Sequence, residues 1–294
     1  MPIRLAENFR AVFYAPFYAA QALGFYGREG IDIEMINSSI PGDAVNSLLT
    51  GAIDITWGGP MRVMKARDRD HHSPLVCFGE VVGRDPFYLV GRSDPAAFKL
   101  ADLQRLRFAA VAEVPTPWMC LQHDLRERGI DPGRVRRAAD RPMAENLAAL
   151  QAGELDVVQL FEPYVSMALQ EDARVLYAAA ARGPTVYTTF ITTHQAIERH
   201  SMAFAGMQRA LAGTLRWITG HRTDELAEVT RPFFPDEPRA ILASALERYR
   251  QAEIWSESSE VSRQGFARLA ESLLSGGFIS RLPRYDDCVV QTRW

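Results

Sequence analysis

The 294-residue sequence predicts an α/β protein with two lobes. Three observations support this prediction: the chain begins with a strand, helix and strand pattern, a short motif recurs about a hundred residues after its first copy, and the final third is helical. A chain of this length can bury a large hydrophobic core, and two lobes are favoured over one.

The first 36 residues carry the strand, helix and strand pattern. Apolar residues alternate over residues 2–7 and again over 31–36, as expected for strands. Between them, Pro16 stands at a first helical turn, where its missing N–H costs no hydrogen bond, and the helical pattern stops near Gly24. This order is typical of a βαβ unit with a parallel sheet.

The repeated motif consists of an apolar helix, a glycine, an apolar residue, an aspartate and a β-branched run. Residues 51–55 (GAIDI) correspond to residues 153–157 (GELDV). Each copy is followed by a turn that contains a proline, Pro60 in the first and Pro163 in the second. We interpret the repeat as one half-site in each lobe of a small-molecule binder.

Composition excludes several classes of function. Hydrophobic residues make up 47%, charged residues 23%, and the net charge is −3, which gives no electrostatic support for binding nucleic acid or an anionic membrane. Cys77, Cys120 and Cys288 are scattered, which argues against structural disulfides and a zinc site, and we expect no metal or cofactor. We expect a periplasmic protein if a leader peptide was trimmed, and a cytoplasmic protein if Met1 is the native start.

The order of elements predicts the division into lobes. We expect lobe I to contain residues 1–92 and 190–294, and lobe II to contain residues 93–189. A strand predicted over residues 185–193 returns the chain to lobe I. Apolar residues at helical spacing then predict helices over 202–219, 223–230, 238–252 and 259–275, before an irregular tail over 281–294.

The motifs of the first two thirds occur in a recognisable order: Asn8-Phe9 after the first strand, Ala20-Gln21 in the helix, Gly24-Phe25-Tyr26, and EGIDIE over residues 29–34. This order resembles the substrate-binding proteins of bacterial ABC importers for nitrate, sulfonate and taurine. The resemblance is greatest to the branch with thiamine-pyrimidine-precursor binders and a yeast pyrimidine synthase. It covers roughly residues 3–187 and implies the type II periplasmic-binding-protein fold, in which two crossover strands join two α/β lobes around a ligand.

Ligands of open α/β sheets bind at the carboxyl ends of the strands. After the first strand, aromatic residues offer a surface on which a flat ligand ring gains about 0.5–1.5 kcal/mol beyond area burial. The alternative is a hydrophobic cap over the lobe. Tyr14 stands where pyrimidine-binding relatives often carry histidine. The candidate ligand-binding residues of this loop are Asn8, Phe9, Phe13 and Tyr14.

The two edges of the first repeat supply further candidates. Glycines allow close backbone approach, and the helix that begins near Pro60 offers unpaired N–H groups and the positive end of its dipole. The alternative is a tight turn without a ligand. We expect Arg62 to be solvated or salt-bridged, although it could meet an anionic group. The candidates are Gly42, Asp43, Trp57, Gly58, Gly59 and Pro60.

The second lobe offers equivalent positions. Thr116 could donate to a ligand or only cap its helix, and Glu162 could accept from an amino group or only support the helix dipole as a first-turn acid. The candidates outside the first-lobe loops are Glu80, Thr116, Trp118, Glu162 and Tyr187.

No catalytic motif is present. Alignment with the pyrimidine synthase places its lysine at Gly58 and its histidine at Arg62, and its cysteine-rich motif is absent near residues 185–193. We therefore expect the solute-binding component of an ABC importer, a monomer (or a dimer) that closes on a thiamine-precursor-like pyrimidine or a sulfonate or taurine-like ligand. Its other partner would be the transporter permease. The alternative is a cytoplasmic enzyme of the same fold that acts on a metabolite ring.

Overall fold

Two β-sheets organise the fold in the computed structural model, which describes residues 2–7, 9–37 and 44–290. The strands are β1 (Ile3–Glu7), β2 (Ile33–Asn37), β3 (Ile55–Gly58), β4 (Leu75–Val82), β5 (Tyr88–Gly91), β6 (Phe108–Ala109), β7 (Val157–Leu160), β8 (Arg174–Ala178) and β9 (Thr188–Thr193). The first sheet has the order β2-β1-β3-β9-β4, and the second has the order β6-β7-β5-β8.

Parallel and antiparallel pairs are mixed in each sheet. β1 pairs in parallel with β2 and β3, as the strand, helix and strand pattern predicted. β9 runs antiparallel between β3 and β4. In the second sheet, β6 is parallel to β7, whereas β5 is antiparallel to both β7 and β8.

The chain crosses between the sheets twice, between Val82 and Tyr88 and between Ala178 and Thr188. The boundary expected after residue 92 is wrong for β5, because this strand is hydrogen-bonded between β7 and β8 of the second sheet. The return strand likewise enters the first sheet at Thr188, two residues before the expected boundary at 190. The assignment of the C-terminal helices to lobe I stays a prediction.

Helices surround both sheets. They are α1 (Ala15–Ala22), α2 (Phe25–Arg28), α3 (Ala44–Leu49), α4 (Met61–Arg69), α5 (Thr116–Glu127), α6 (Met143–Gln151), α7 (Tyr164–Leu169), α8 (His194–Gly220), α9 (Thr223–Thr230), α10 (Arg239–Gln251), α11 (Arg263–Ser275) and α12 (Tyr285–Cys288). The short α12 lies in the tail that we expected to be irregular. None of the helices in the described ranges is long and apolar enough to cross a bilayer.

Two C-terminal helices contact elements of both sheets. α10 packs against the 3₁₀ turn Val12–Tyr14, which follows β1, and against α7, which follows β7. α11 packs against α4, which follows β3, and against α5, which follows β6. The C-terminal third therefore spans the junction between the two sheets on two sides.

The repeated motif forms the same local structure in each sheet. Gly51 and Gly153 follow α3 and α6 with φ angles of 72° and 74°, a left-handed conformation that glycine adopts without strain after a helix. The aspartate of each copy, Asp54 or Asp156, precedes an inner strand that pairs in parallel with β1 or β6. The repeat is thus a helix stop followed by the start of a buried strand.

Candidate ligand-binding site

Aromatic side chains from the two sheets meet beyond the carboxyl ends of β1 and β7. The ring of Phe9, which follows β1, stacks against Phe161, which follows β7, with 6.3 Å between centroids and 28° between planes. Phe13 meets the same ring edge-on at 5.2 Å. The structure therefore brings together the two predicted phenylalanines and adds Phe161. Sequence reasoning missed Phe161, although it stands directly before the candidate Glu162.

A second aromatic group lines the end of β3. The indole of Trp57 stacks on Phe17 at 4.5 Å with 6° between the planes, and Tyr14 lies 6.0 Å from the same indole. Trp57 and Tyr14 are each only 2% exposed. The indole Nε1–H of Trp57 is buried and has no hydrogen-bond partner among the described residues. Trp57 is thus a buried donor without an acceptor, and Tyr14 packs beside it.

The Gly58-Gly59-Pro60 turn places two further groups beside Trp57. A Cβ atom at Gly58 would lie 3.7 Å from the Arg62 Nε atom, and one at Gly59 would lie 3.6 Å from the Tyr187 carbonyl oxygen. Pro60 adopts a helical conformation directly before α4. The turn therefore brings Arg62 and the return segment of the chain to the end of β3.

Arg62 lies in the first turn of α4, beside the glycine turn. The side chain is partly buried, and it forms no ion pair or hydrogen bond with any residue in the described part of the chain. Burial lowers the pKa of its guanidinium, and Tyr14 acts in the opposite direction. Because a guanidinium remains protonated, this site holds a positive charge that no carboxylate of the described residues compensates. No carboxylate of the described residues reaches it, and the prediction that Arg62 is solvated or salt-bridged stays a prediction.

The return strand adds polar atoms to the same region. The hydroxyls of Tyr187 and Thr188 are buried and have no partner in the described residues, whereas that of Thr189 lies within reach of the Cys77 thiol. Thr189 lies opposite Gly58 in the β3–β9 register. Burial raises the pKa of Tyr187, so that its hydroxyl stays neutral and can donate. An unsatisfied buried polar atom costs about 1–3 kcal/mol, so this cluster is suited to a polar ligand or to ordered water.

Glu162 is already engaged within the protein. It is fully buried, and its carboxylate accepts from Arg248 Nε at 2.7 Å and from the Ser166 backbone N–H at 2.8 Å. The contact with Ser166, in the first turn of α7, corresponds to the helix-supporting role. Its predicted contact with a ligand stays untested, but neither carboxylate oxygen lacks a partner.

Glu80 is held in a similar way at the end of β4. Its carboxylate accepts from the Ser256 hydroxyl at 2.7 Å and from the Ser262 backbone N–H at 2.8 Å. Burial raises its pKa to about 7. The residue lines a cavity of about 770 Å³ together with Arg84, Trp255 and other residues of α8, the loop after α10 and the crossing segments. Glu80 therefore faces the C-terminal third and not the aromatic cluster.

The remaining candidates lie apart or outside the described residues. Thr116 is the first residue of α5, and its side chain does not cap the helix, whose N-cap is Pro115. Trp118 packs on Phe108, with ring centroids 5.8 Å apart, and lies 4.8 Å under the guanidinium of Arg137. Trp118 thus belongs to the second-sheet core and does not join the aromatic cluster. Asn8, Gly42 and Asp43 lie outside the described residues.

A second buried arginine provides a reference for Arg62. Arg182, 2% exposed in its side chain, forms ion pairs with Asp85 and Asp124, which are 0% and 1% exposed. Tyr177 donates to Asp124 at 2.9 Å. This network joins the two crossing segments to α5, and the two carboxylates compensate the charge of Arg182 within the protein.

A model of the NMT1/THI5-like family matches residues 12–224, which is more than half of the chain. The chain belongs to this family. A relative named "Putative binding protein YtlA" from Bacillus subtilis (strain 168) is 23% identical over 291 residues, which cover 98% of this chain and 87% of the relative. The family resemblance read from the sequence is therefore confirmed.

Solved structures confirm the fold class. The periplasmic aliphatic sulphonate binding protein SsuA from Escherichia coli superposes with a TM-score of 0.79 at 16% identity, covering 99% of this chain and 92% of that chain. The CA3427 gene product of Candida albicans, described as having the generic periplasmic binding protein structural fold, gives a TM-score of 0.69 at 14% identity over 99% and 96% of the two chains. The chain thus has the periplasmic-binding-protein fold.

Proposed function

We propose that this protein binds a small polar or heteroaromatic molecule between its two lobes, as the solute-binding component of an ABC importer. The observation that supports this most is the group of buried donors without acceptors, among the described residues, at the carboxyl end of β3 and the amino end of β9. Trp57 Nε1–H and the Tyr187 hydroxyl belong to this group. A folded chain rarely leaves such atoms unsatisfied, and a bound ligand would supply the acceptors.

Aromatic side chains form the second part of the proposed ligand site. Phe9 from one lobe and Phe161 from the other face each other at 6.3 Å, with Phe13 beside them. Separation of the lobes would uncover both rings, and closure would press them onto a flat molecule. Hinge closure of this kind couples ligand binding to a change of shape that a permease can recognise.

Two features support closure as a hinge motion. The chain crosses between the sheets through only two short segments, which end at Tyr88 and Thr188. The buried Arg182 network fixes these segments to the second sheet, so that bending is expected on the side of the first. The contacts of α10 and α11 with both sheets would then form or loosen as the lobes move.

The names of similar proteins agree with a binding role. YtlA is named as a binding protein, and SsuA of Escherichia coli as a sulphonate-binding protein. On this basis we propose a sulfonate-like or pyrimidine-like ligand. The enzyme alternative receives no support from the cysteines, since all three are buried and burial raises the pKa of Cys120 to about 12 and that of Cys288 to about 11. A thiolate nucleophile is thereby disfavoured.

The test combines native mass spectrometry of the purified protein with a thermal-shift screen of pyrimidines, sulfonates and aromatic acids. We expect at least one class to raise Tm by several degrees, because a ligand at 100 times its Kd adds about 2.7 kcal/mol of stability. Small-angle scattering should then show a smaller radius of gyration with the ligand. Stabilisation by none of these compounds, together with turnover of a candidate substrate, would refute the binding function.

A further inference from the structure

We propose that the ligand is an organic anion with an aromatic body and that its charged group binds Arg62. This inference rests on the proposed function and specifies the chemistry of the same site. It begins from the difference between Arg62 and the other buried or half-buried arginines near the sheet ends.

The nearby acids are already paired. Glu7, at the end of β1, accepts from Arg10 and from the Tyr18 hydroxyl. Asp85 is paired with Arg182. Arg62 has no such partner among the described residues, although it is partly buried. A desolvated cation without a counter-charge destabilises the free protein, and an anionic ligand would remove that cost.

The group that acts on Arg62 is a donor. The charge of Arg62 acts on the Tyr14 hydroxyl, whereas the Tyr187 hydroxyl interacts more strongly with Asp85, Cys120 and Arg182 than with Tyr14. The Tyr187 hydroxyl has no acceptor among the described residues, and burial raises the pKa of both phenols, so they remain protonated. A guanidinium beside a neutral phenol matches an oxyanion, which accepts hydrogen bonds and donates none.

Gly58 contacts Arg62 at the end of β3. A Cβ at this position would lie 3.7 Å from Arg62 Nε and 3.8 Å from the Ile191 side chain, at ordinary van der Waals distance. The Arg62 side chain therefore lies against the end of β3, at the position that alignment gives to the lysine of the related synthase. The carbonyl and N–H groups of Gly58 belong to the strand that pairs with β9.

The aromatic part of the ligand follows from Phe9 and Phe161. Phe9 is only partly buried, and the two rings come from opposite lobes. An apolar ring held there adds contact area, whereas the acidic group determines the charge preference. Sulfonates and carboxylates share this chemistry, and the choice between them is part of the test.

The experiment measures binding by isothermal titration calorimetry with matched pairs: p-toluenesulfonate against p-toluenesulfonamide, and p-toluate against p-toluamide. The wild type should bind at least one anion about tenfold to a hundredfold more tightly than its neutral partner, which is the range for a hydrogen bond to a charged group. In Arg62→Gln this preference should disappear, and in Arg62→Lys part of it should remain. Arg69→Gln, which removes an exposed charge from the other end of α4, is the matched control and should bind as the wild type.

The outcomes separate this inference from the proposed function. Equal affinity of the wild type for anions and neutral partners, or an undiminished preference in Arg62→Gln, would overturn the inference and leave the binding function standing. Failure of the wild type to bind any compound of the wider ligand screen would overturn both. A folded Arg62→Gln protein, verified by a Tm equal to or above that of the ligand-free wild type, excludes simple unfolding as the cause of lost affinity.

Discussion

In the first sheet, Asp54 accepts from the backbone N–H of Arg4 and from its guanidinium, while the same guanidinium donates to the Gly51 carbonyl at 2.8 Å. In the second sheet, Asp156 accepts from the backbone N–H and guanidinium of Arg107 in the same pattern. The Gly153 carbonyl again accepts from the arginine at 2.8 Å. The glycine and aspartate of each repeat copy thus bind an arginine at the start of the neighbouring strand. We call each of these groups of three residues an arginine clamp.

The two copies differ beyond this clamp. The first leads through the glycine turn to Arg62, which has no partner among the described residues. The second leads to Glu162, whose carboxylate is bound by Arg248 and by the backbone of α7. The same scaffold therefore ends once in a charge without a counter-charge among the described residues and once in a compensated one. The comparison teaches that the repeat itself is structural, and it is the reason why we propose its first-lobe edge as the place for an anionic ligand.

The largest effect on stability should come from removing the Glu162 carboxylate, which follows the second repeat copy. Glu162→Ala leaves Arg248 without its partner and the Ser166 N–H buried and unsatisfied, so we expect about 3 kcal/mol loss in the free energy of unfolding, measured in urea. Glu154→Ala, in the same repeat copy but exposed, should change it by less than about 0.5 kcal/mol. Equal effects of the two substitutions would contradict the structural role of Glu162.

Replacing the aspartate of each arginine clamp should lower the free energy of unfolding more in the first repeat copy than in the second. The carboxylate of Asp54 is 4% exposed and that of Asp156 is 32% exposed. We therefore expect Asp54→Asn to cost about 2 kcal/mol and Asp156→Asn less than about 1 kcal/mol, because exposed ion pairs contribute little. Thermal unfolding of the two variants side by side measures this. A larger loss for Asp156→Asn would reverse the ranking and refute burial as its cause.

The stabilisation from the clamp aspartates and that from Glu80 should depend on pH in opposite directions. Burial alone would raise the pKa of Asp54, but hydrogen bonds from Arg4 outweigh it and lower the pKa, and hydrogen bonds from Arg107 lower that of Asp156. Their stabilisation is therefore present above the usual aspartate pKa of 3.8 and is lost as the pH falls through the folded-state values.

Glu80 should act in the opposite direction. Its folded-state pKa of about 7 lies above the usual value of 4.5, so its contribution is complete below pH 4.5 and is lost as the pH rises to about 7. Glu80→Gln should flatten the stability profile in this window and gain on the order of 2 kcal/mol over the wild type above pH 7. An unchanged slope between pH 4.5 and 7 in urea titrations would show that Glu80 ionises normally.

The smallest effect on stability should come from removing an unpaired hydroxyl. Tyr187→Phe should change Tm by no more than about 2 °C, since the hydroxyl makes no hydrogen bond in the described residues, yet it should weaken ligand binding severalfold. Tyr88→Phe removes an equally unpaired hydroxyl from the second sheet and should leave the affinity unchanged. Isothermal titration calorimetry on both variants measures the two affinities. Equal losses of affinity would contradict a specific contact between the Tyr187 hydroxyl and the ligand.

The sequence was informative wherever local pattern determines structure. The alternation of the first strands, the glycine stops of the repeat and the proline turn before α4 all follow from short-range rules, and they located Phe9, Tyr14 and Trp57 near one another. The strand β5 was assigned to the wrong lobe because an apolar run over residues 86–92 carries no signal about which sheet it joins.

The partners of several charged and aromatic residues could not be predicted from local sequence pattern. Glu162 meets Arg248 from 86 positions away, and Trp118 lies under Arg137 on the second sheet, because tertiary packing sets these contacts. The lack of a partner for Arg62 is equally a property of the folded chain. One signal did exist for Phe161, since an aromatic residue directly after a repeat strand occupies the edge where ligands bind.

The most direct test of the account is a crystal structure of the protein grown with p-toluenesulfonate. We predict that the sulfonate oxygens lie within hydrogen-bond distance of the Arg62 guanidinium, that at least one of the Tyr14 and Tyr187 hydroxyls donates to them, and that the tolyl ring lies between Phe9 and Phe161. A sulfonate bound elsewhere, or an Arg62 guanidinium paired with a carboxylate of the chain itself, would contradict the account.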